Sequence, residues 1–462
     1  MAKLMANVPV QKNQLIELDM TGQGHQGEGV GRYRDYTLFV PGAIAGERVK
    51  AKVTKVNKNY GFAKLIEIVR QSEQRTEPPC PLYHRCGGCH LQHMTYEAQL
   101  AHKRQTVVDA LTRIGKLEDV TVHPTLGMDE PWRYRNKSQV PVGLVNGKIV
   151  AGFYAPGTHE IIDMEGCPIQ HPYSDEIVNT VKRALADLGI PPYDETGHKG
   201  LVRHIVARVG YATGETMVVL VTNGRNIPRV DELIRRLRNE IPHVVSIVQN
   251  VNTAVTNVIF GPHTITLWGK DGIEDRIGDV RFFISARSFF QVNPIQTQVL
   301  YDKALEYAQL TGRETVVDAY CGIGTISLFL ARRAKRVIGV EVVEEAIEDA
   351  QRNAELNGIM NAEFLAGEAE QVIPQLYAER GLRADVVVVD PPRKGCDEKL
   401  LQTIVDMQPQ RVVYVSCNPS TLARDLRFLE DRGYETQEVQ PVDMFPHTFH
   451  VECCSLLVRK EN

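Results

Sequence analysis

The sequence predicts an α/β protein of three parts, which are a small β-barrel, an α+β central domain and a parallel sheet with helices on both faces. Short strand-like runs and glycine-rich turns fill the start of the chain, mixed strand and helix patterns follow, and apolar strands then alternate regularly with helices. A chain of 462 residues is also too long for one ordinary core. The predicted domains are residues 1–70, 71–285 and 286–462.

The composition is typical of a globular protein, with 43% apolar and 24% charged residues. No apolar run reaches the roughly 18 residues that a membrane helix needs, and the N-terminus lacks a signal-peptide core. We therefore expect a cytoplasmic protein without a membrane segment. No feature indicates a protein partner, so we expect a monomer.

The N-terminal part has the features of a nucleic-acid-binding barrel. Strands are predicted at 14–19, 36–40, 47–56 and 62–69, with a glycine-rich turn over 22–31. Residues 1–70 contain 11 lysines and arginines against 6 acidic residues. Cations and aromatic rings alternate there, as on surfaces that bind RNA, at Arg32, Tyr33, Arg34, Tyr36, Lys55, Lys58 and Tyr60.

The C-terminal part alternates strands and helices in the manner of a sheet covered on both faces. Apolar strands are predicted at 315–320, 336–341, 362–366, 384–390 and 411–417. Two more strands, at 434–440 and 450–459, are joined by too few residues for a helical crossover, so we expect them to run antiparallel.

A nucleoside cofactor site is predicted after the first of these strands. Gly322 and Gly324 form a turn between strand and helix, where they allow a ligand to approach the backbone. Glu341 ends the next strand, where its carboxylate could accept the ribose hydroxyls. NAD and S-adenosylmethionine both fit this pattern. The second is favoured because Ser327 replaces the third glycine of a dinucleotide motif and because Asp318 could face a sulfonium cation.

A cysteine stands where an apolar strand gives way to a helix. Asn418 can cap that helix and Pro419 suits its first turn, so the positive end of the helix dipole would lie near Cys417 and favour its thiolate. Antiparallel pairing of the last strands brings Glu452 toward this thiol as a base. Asp390 ends the neighbouring strand at the same edge of the sheet.

These groups together indicate methylation of an unreactive carbon. C5 of a pyrimidine is a weak nucleophile, but addition of a thiolate to C6 produces an enolate that can attack a methyl donor. Cys417 would form the adduct, and Glu452 would then remove the C5 proton.

Four cysteines in the first half, Cys80, Cys86, Cys89 and Cys167, provide enough thiolates for a closed tetrahedral site. Their spacing does not separate zinc from an iron-sulfur cluster, because both use four cysteines.

Several motifs together resemble the RNA uracil-C5-methyltransferase family over essentially the whole chain. They are Phe289-Phe290-Gln291-Val292-Asn293, residues 318–324, Asp390-Pro391-Pro392-Arg393, Ser416-Cys417-Asn418-Pro419 and His450-Val451-Glu452. The N-terminal unit resembles a TRAM domain, and the arrangement is similar to the bacterial 23S ribosomal RNA members. The resemblance implies a Rossmann-like S-adenosylmethionine methyltransferase domain.

The resemblance also implies roles for individual residues. Cys417 is the expected nucleophile and Glu452 the expected base. The expected cofactor contacts are Gln291, Tyr320, Glu341 and Asp390, beside Asp318, Gly322 and Gly324. Asp390 could face the uracil instead, and Phe289 could stack on an extruded base. For the four cysteines the resemblance implies a 4Fe-4S cluster in preference to zinc, and for the substrate 23S ribosomal RNA, with transfer RNA as the alternative.

Three other protein classes share part of this pattern. A radical S-adenosylmethionine methylthiotransferase needs a C-x3-C-x2-C motif, whereas five residues separate Cys80 from Cys86. A non-catalytic iron-sulfur RNA-binding protein would leave Cys417 and Glu452 without a purpose. A DNA cytosine methyltransferase usually places its nucleophile after the fourth strand, and here the cysteine follows the fifth.

Overall fold

The computed structural model describes residues 8–461, and its N-terminal unit is a closed five-stranded barrel. The strands are β1 (Leu15–Gln23), β2 (Gly29–Tyr33), β3 (Tyr36–Val40), β4 (Arg48–Val56) and β5 (Tyr60–Arg70), in the order β1-β2-β3-β5-β4. The predicted barrel is confirmed, but β2 occupies part of the segment predicted as a turn. A Cβ atom at Gly31 would lie 2.6 Å from the Asp19 carbonyl oxygen, so this glycine permits close strand packing.

The next segment packs on the C-terminal sheet. Helix α1 (Tyr96–Ala110) continues into a turn of π-helix over 111–115 and leads to the short strand β6 (Thr121–Val122). β6 is the edge strand of the C-terminal sheet, where it pairs in parallel with residues 438–439. Part of the predicted 71–285 segment thus contributes directly to the C-terminal sheet. The limits of the three domains stay predictions.

The central unit is a mixed seven-stranded sheet with two helices and an adjoining hairpin. Its elements are β7 (Lys137–Val145), β8 (Lys148–Tyr154), β9 (Ile161–Asp163), α2 (Pro172–Asp187), β10 (Val202–Val209), β11 (Thr216–Thr222), α3 (Val230–Glu240), β12 (Val244–Val251) and β13 (His263–Gly269). The hairpin consists of β14 (Gly272–Ile277) and β15 (Val280–Ser285). β7 and β10 lie side by side in the middle of the sheet.

The C-terminal unit is an eight-stranded sheet of the predicted Rossmann-like type. Its elements after β6 are α4 (Pro294–Ala308), β16 (Thr315–Ala319), α5 (Thr325–Ala331), β17 (Arg336–Glu341), α6 (Glu344–Leu356), β18 (Ala362–Ala366), α7 (Ala369–Arg380), β19 (Val386–Val389), α8 (Glu398–Met407), β20 (Arg411–Ser416), α9 (Pro419–Glu430), β21 (Tyr434–Val442) and β22 (Glu452–Arg459). The strand order is β18-β17-β16-β19-β20-β22-β21-β6.

Two features of this sheet position the site. The chain order reverses between β16 and β19, which opens a crevice at their carboxyl ends. β22 inserts between β20 and β21 and is antiparallel to both, as the short connection predicts. Buried apolar clusters cover both faces of the sheet. Among residues 8–461, no helix is long and apolar enough to cross a membrane.

Candidate active site

The reactive side chains lie at the carboxyl edge of the C-terminal sheet. Asp318 is in β16 and Glu341 ends β17. Asp390 directly follows β19 and Cys417 directly follows β20. Because β16 and β19 are neighbours at the point where the strand order reverses, these residues surround the crevice in which open α/β sheets bind ligands.

The turn after β16 leaves room for a ligand at the backbone. Gly322 and Gly324 have φ values of 55° and 79°, which L side chains rarely adopt, and no atom lies within 4 Å of a Cβ position at Gly322. Glu341 ties the turn to the next strand, because its Oε2 accepts a hydrogen bond of 3.2 Å from the Gly322 amide. Val342 and Val343 beside it are exposed and offer an apolar surface.

Asp318 presents a buried carboxylate oxygen without a partner. Its side chain is 1% exposed, and Ser327 Oγ donates to its Oδ2. No hydrogen-bond partner reaches the Oδ1 atom. Burial raises the pKa of Asp318 to about 7, and the nearby carboxylates of Asp390 and Glu341 add to this effect. A cationic group in the crevice would satisfy the free oxygen and offset the clustered negative charge.

Cys417 and Glu452 are brought together by strand pairing. The last pair of the β20–β22 ladder joins Ser416 and Cys453, so Cys417 and Glu452 are the next residues on the two antiparallel strands. Opposite residues of such strands have Cα atoms about 4.5 to 5.5 Å apart. Cys417 is partly exposed, and Glu452 is 5% exposed. A thiol that substrate can reach therefore lies beside a buried carboxyl group.

The start of α9 is built as the sequence predicts, and it also fixes the loop after β19. Asn418 caps the helix by accepting a hydrogen bond from the Ser420 amide at 3.1 Å, and Pro419 fills the first helical position. The Asn418 Nδ2 atom donates to the Arg393 carbonyl at 3.0 Å. This bond holds the loop that carries Arg393 against the helix start.

The charges around Cys417 oppose the expectation that its thiolate is favoured. Burial, together with the carboxylates of Glu452 and Asp390, raises the pKa of the Cys417 thiol to about 11, whereas Arg393 lowers it. Burial and Asp390 likewise raise the pKa of Glu452 well above its usual value, against the effect of Arg393. Arg393 therefore favours the ionised form of both groups.

A buried ion pair anchors the loop that leads to Glu452. Lys103 of α1 and Asp443, just after β21, form an ion pair with both side chains 0% exposed. Tyr96 Oη donates to the second carboxylate oxygen at 2.9 Å, and Lys103 Nζ also donates to the Phe445 carbonyl at 3.0 Å. Since an unpaired charge at this depth is strongly destabilising, the two ends of the pair hold the loop in place.

His447 fixes the middle of the same loop. Its ring stacks on Trp132 with 3.7 Å between ring centroids, and its amide donates to Gln99 Oε1 at 3.0 Å. Its carbonyl accepts hydrogen bonds from the amides of His90 and Leu91 at 2.8 and 3.0 Å. The segment that contains Cys80, Cys86 and Cys89 is thereby bonded directly to the loop before Glu452.

Comparisons with known proteins agree with this geometry. The family model described as tRNA (uracil-5-)-methyltransferase matches residues 270–460, and the TRAM domain model matches residues 9–66. An uncharacterized RNA methyltransferase of Halalkalibacterium halodurans is 60% identical over 452 residues, which are 98% of each chain. An uncharacterized RNA methyltransferase of Clostridium tetani is 53% identical over 451 residues.

A solved structure matches over nearly the same length. The Pyrococcus abyssi tRNA (uracil-54, C5)-methyltransferase, in complex with S-adenosyl-L-homocysteine, is 30% identical with a TM-score of 0.76. The match covers 96% of this chain and 99% of the other. The chain belongs to the RNA uracil-C5-methyltransferase family. It is an S-adenosylmethionine-dependent enzyme with an RNA substrate and a TRAM barrel.

The crevice fits the methyl donor of this family. S-adenosylmethionine carries positive charge at its methionine end, and the free Asp318 oxygen is a buried acceptor without a partner. The open space at Gly322 and the carboxylate of Glu341 suit a nucleoside that lies against the turn.

The four early cysteines lie close enough to influence one another. Burial raises the pKa of Cys89 to about 12, and the thiols of Cys167, Cys86 and Cys80 add to this effect. Four thiols form a donor set that fits an iron-sulfur cluster or zinc. In the part of the chain that the structure describes, no group of three or more His, Cys, Asp or Glu side chains is arranged to hold a metal ion.

The remaining predicted residues, Gln291, Tyr320 and Phe289, differ in burial and contacts. Gln291 is buried, and its carbonyl accepts a hydrogen bond of 3.2 Å from Asn136 Nδ2. Tyr320 has a φ of 66° and packs against the apolar cluster beside α7 and α8. Phe289 is 66% exposed. Their contacts with cofactor or RNA stay predictions.

Sequence reasoning included Arg393 in a motif but gave it no role, and it missed the pair of Lys103 with Asp443. The position of Arg393 directly after Asp390-Pro391-Pro392 was an available signal, because it follows a strand end at the reactive edge. Lys103 had no such signal, since a lysine in a helix with a basic face usually lies in solvent.

The surroundings of Cys417 predict its reactivity toward alkylation. Because its pKa is raised from 9.0 to about 11, the rate of iodoacetamide labelling should keep rising above pH 9. Arg393→Gln removes a charge that favours thiolate, so labelling at about pH 8 should slow by a factor of about 3 to 10. Peptide mass spectrometry of Cys417 measures this rate. The exposed Arg235→Gln is the charge-matched control, and a rate that levels off below pH 9 would contradict the prediction.

Proposed function

We propose that this enzyme methylates C5 of a uridine in 23S ribosomal RNA through a covalent bond between Cys417 and C6. The observation that carries the mechanism is the register of β20 and β22, which places the thiol beside Glu452. The neighbouring crevice supports cofactor binding by Asp318, Gly322, Gly324, Glu341 and Asp390. Gln291 and Tyr320 complete the proposed set of cofactor contacts. Asp390 facing the uracil is the alternative for that residue.

The first step activates the pyrimidine. The Cys417 thiol loses its proton to solvent, which reaches this partly exposed residue, and the sulfur bonds to C6. The electron pair of the C5–C6 double bond moves toward C5 and O4 as an enolate. Arg393 favours this step because its charge lowers the pKa of the thiol.

The next steps place the methyl group and release the enzyme. S-adenosylmethionine, when bound, supplies an electrophilic methyl group. C5 would bond to that methyl carbon as the bond from the methyl group to the sulfonium sulfur breaks and the sulfur keeps the electron pair. Glu452 would then take the proton from C5. The electrons of the C–H bond restore the C5–C6 double bond and break the bond from C6 to sulfur. The raised pKa of Glu452 makes its ionised form a stronger base, and Arg393 helps to keep that form populated.

The target RNA is proposed from the motifs that resemble bacterial 23S ribosomal RNA enzymes. The barrel does not separate the two RNA classes, because the Pyrococcus abyssi tRNA enzyme aligns with 96% of this chain. That match makes uridine methylation in transfer RNA the second candidate. The exposure of the Phe289 ring supports stacking on a base that leaves its helix or loop.

For the four cysteines we propose a 4Fe-4S cluster held by Cys80, Cys86, Cys89 and Cys167. The donor set and the mutual influence of the thiols support it. The proposed methyl transfer involves no net oxidation or reduction, so it does not need the cluster as an electron carrier. The role we propose for the cluster is therefore structural. A fixed cysteine segment would hold the amides of His90 and Leu91 against the His447 carbonyl, and with it the loop before Glu452.

The function is tested by methylation of unmodified total RNA with labelled S-adenosylmethionine. Wild type should produce 5-methyluridine in large ribosomal RNA, and Cys417→Ala should lower the rate by about 1000-fold or more, because no adduct activates C5. Nucleoside mass spectrometry of separated RNA classes gives the product and its location. Cys453→Ala, a buried cysteine on the adjacent strand, is the matched control. Label in transfer RNA would favour the second candidate, and an active Cys417→Ala would contradict the mechanism.

The cluster is tested by Cys86→Ser and by iron analysis. Anaerobically purified wild type should contain about four irons per chain, as a 4Fe-4S cluster requires, with a visible absorption band that the variant lacks. The variant should also lower the thermal unfolding midpoint, because the cluster ties two distant segments together. Cys321→Ser is a control at a buried cysteine outside this group. Zinc in place of iron, or an unchanged midpoint without metal, would contradict the proposal.

A further inference from the structure

Three cationic side chains lie together where β7 and β10 of the central sheet bond to residues 288–292. Lys137 begins β7, and it pairs across the sheet with Arg208 of β10. Arg135 lies two residues before Lys137, and its Nε atom donates to the Lys137 carbonyl at 3.1 Å. We call Arg135, Lys137 and Arg208 the cationic corner.

The cationic corner is attached directly to the segment that carries Phe289 and Gln291. The residue between Arg135 and Lys137 is Asn136, whose amide donates to the Val292 carbonyl at 2.9 Å and whose Nδ2 donates to the Gln291 carbonyl at 3.2 Å. Arg208 donates to the Ser288 carbonyl at 2.6 Å. The three cations therefore lie beside residues 288–292, which include Phe289 and Gln291.

Acidic side chains do not neutralise this group. Within residues 8–461, none of the three cations forms an ion pair with a carboxylate. Asp349 is the one carboxylate whose charge acts on Arg208, and it is engaged by Ser288 Oγ. Arg208 is committed to backbone carbonyls, and Arg135 also donates to one. Lys137 is half-buried, and within residues 8–461 its Nζ atom forms no hydrogen bond.

The surroundings of Lys137 disfavour its positive charge, as expected for a group that binds an anion. Burial lowers its pKa to about 7, and the positive charges of Arg208 and Arg135 contribute. A half-buried ammonium beside two like charges is unfavourable without an anion. A bound anion would accept hydrogen bonds from the ammonium group and offset its repulsion by Arg208 and Arg135.

We propose that the cationic corner binds a backbone phosphate of the RNA next to the target uridine, with Lys137 as the phosphate ligand. This inference rests on the proposed function, since the phosphate belongs to the RNA whose uridine enters the crevice. An extruded nucleotide carries its flanking phosphates with it, and the corner is bonded to the segment of Phe289, the residue proposed to stack on the extruded base. Lys137 acts here as a binding residue, and it forms no bond to the reacting atoms.

The site is tested by the salt dependence of RNA binding. Dissociation constants of a short fluorescent oligouridylate are measured over a range of salt concentrations for wild type, Lys137→Gln and Lys137→Arg. Lys137→Gln should weaken binding about tenfold at low salt and reduce the slope of log K against log salt by about 0.7, the value for one phosphate on a single strand. Lys137→Arg should bind as wild type does.

The matched control is Lys148→Gln, which neutralises an exposed lysine on the neighbouring strand of the same sheet. It should leave the slope unchanged. If Lys137→Gln has the same slope and affinity as Lys148→Gln, the proposed site is wrong. If thermal unfolding shows that Lys137→Gln does not fold, Lys137→Met takes its place, because it removes the same charge with a side chain of similar length. The same change in slope and affinity is expected of it.

Failure of this site and failure of the proposed function are distinguishable. If the wild type makes 5-methyluridine but both neutral Lys137 variants bind oligouridylate as Lys148→Gln does, the phosphate site alone is wrong. If the neutral variants reduce the slope of log K against log salt by the expected amount but the wild type makes no 5-methyluridine, the phosphate site stands and the function is wrong.

Discussion

The antiparallel pairing of β20 with β22 is the constraint on which the active site depends. β20 delivers Cys417 at its carboxyl end, and β22 begins at the same edge with Glu452 because it runs in the opposite direction. A parallel strand in this position would place Glu452 at the far edge of the sheet. A shift of one residue in register would turn its side chain to the other face. The insertion of β22 between β20 and β21 thus brings a thiol and a carboxyl group together at one edge of the sheet, as the proposed adduct chemistry requires.

Distant parts of the chain converge on the loop before Glu452. Lys103 pairs with Asp443 at its start, and the cysteine segment binds the His447 carbonyl in its middle. A buried ion pair contributes little net stability when both charges are present, but removal of one partner costs about 3 to 5 kcal/mol. The pair therefore acts mainly to fix one arrangement. This explains why the segment before the central sheet packs on the C-terminal unit.

The sequence predicted the architecture well because its signals were local. Apolar runs marked the strands of the C-terminal sheet, and Asn418 and Pro419 marked the start of α9. The β2 strand was missed because glycines in sequence suggest turns, whereas Gly31 permits close contact between strands. The electrostatics of Cys417 could not be predicted, since Asp390, Arg393 and Glu452 come together only when three strands assemble. Local helix-dipole reasoning omits those charges.

The measurement that tests the central claim most directly is covalent trapping of RNA by Glu452→Gln. With Glu452 unable to take the C5 proton, elimination should be blocked, so a protein–RNA adduct should accumulate on denaturing gels in the presence of S-adenosylmethionine. The double variant Cys417→Ala with Glu452→Gln should give no adduct. An adduct that survives loss of Cys417, or rapid turnover by Glu452→Gln without any adduct, would contradict the pairing of thiol and base proposed for this site.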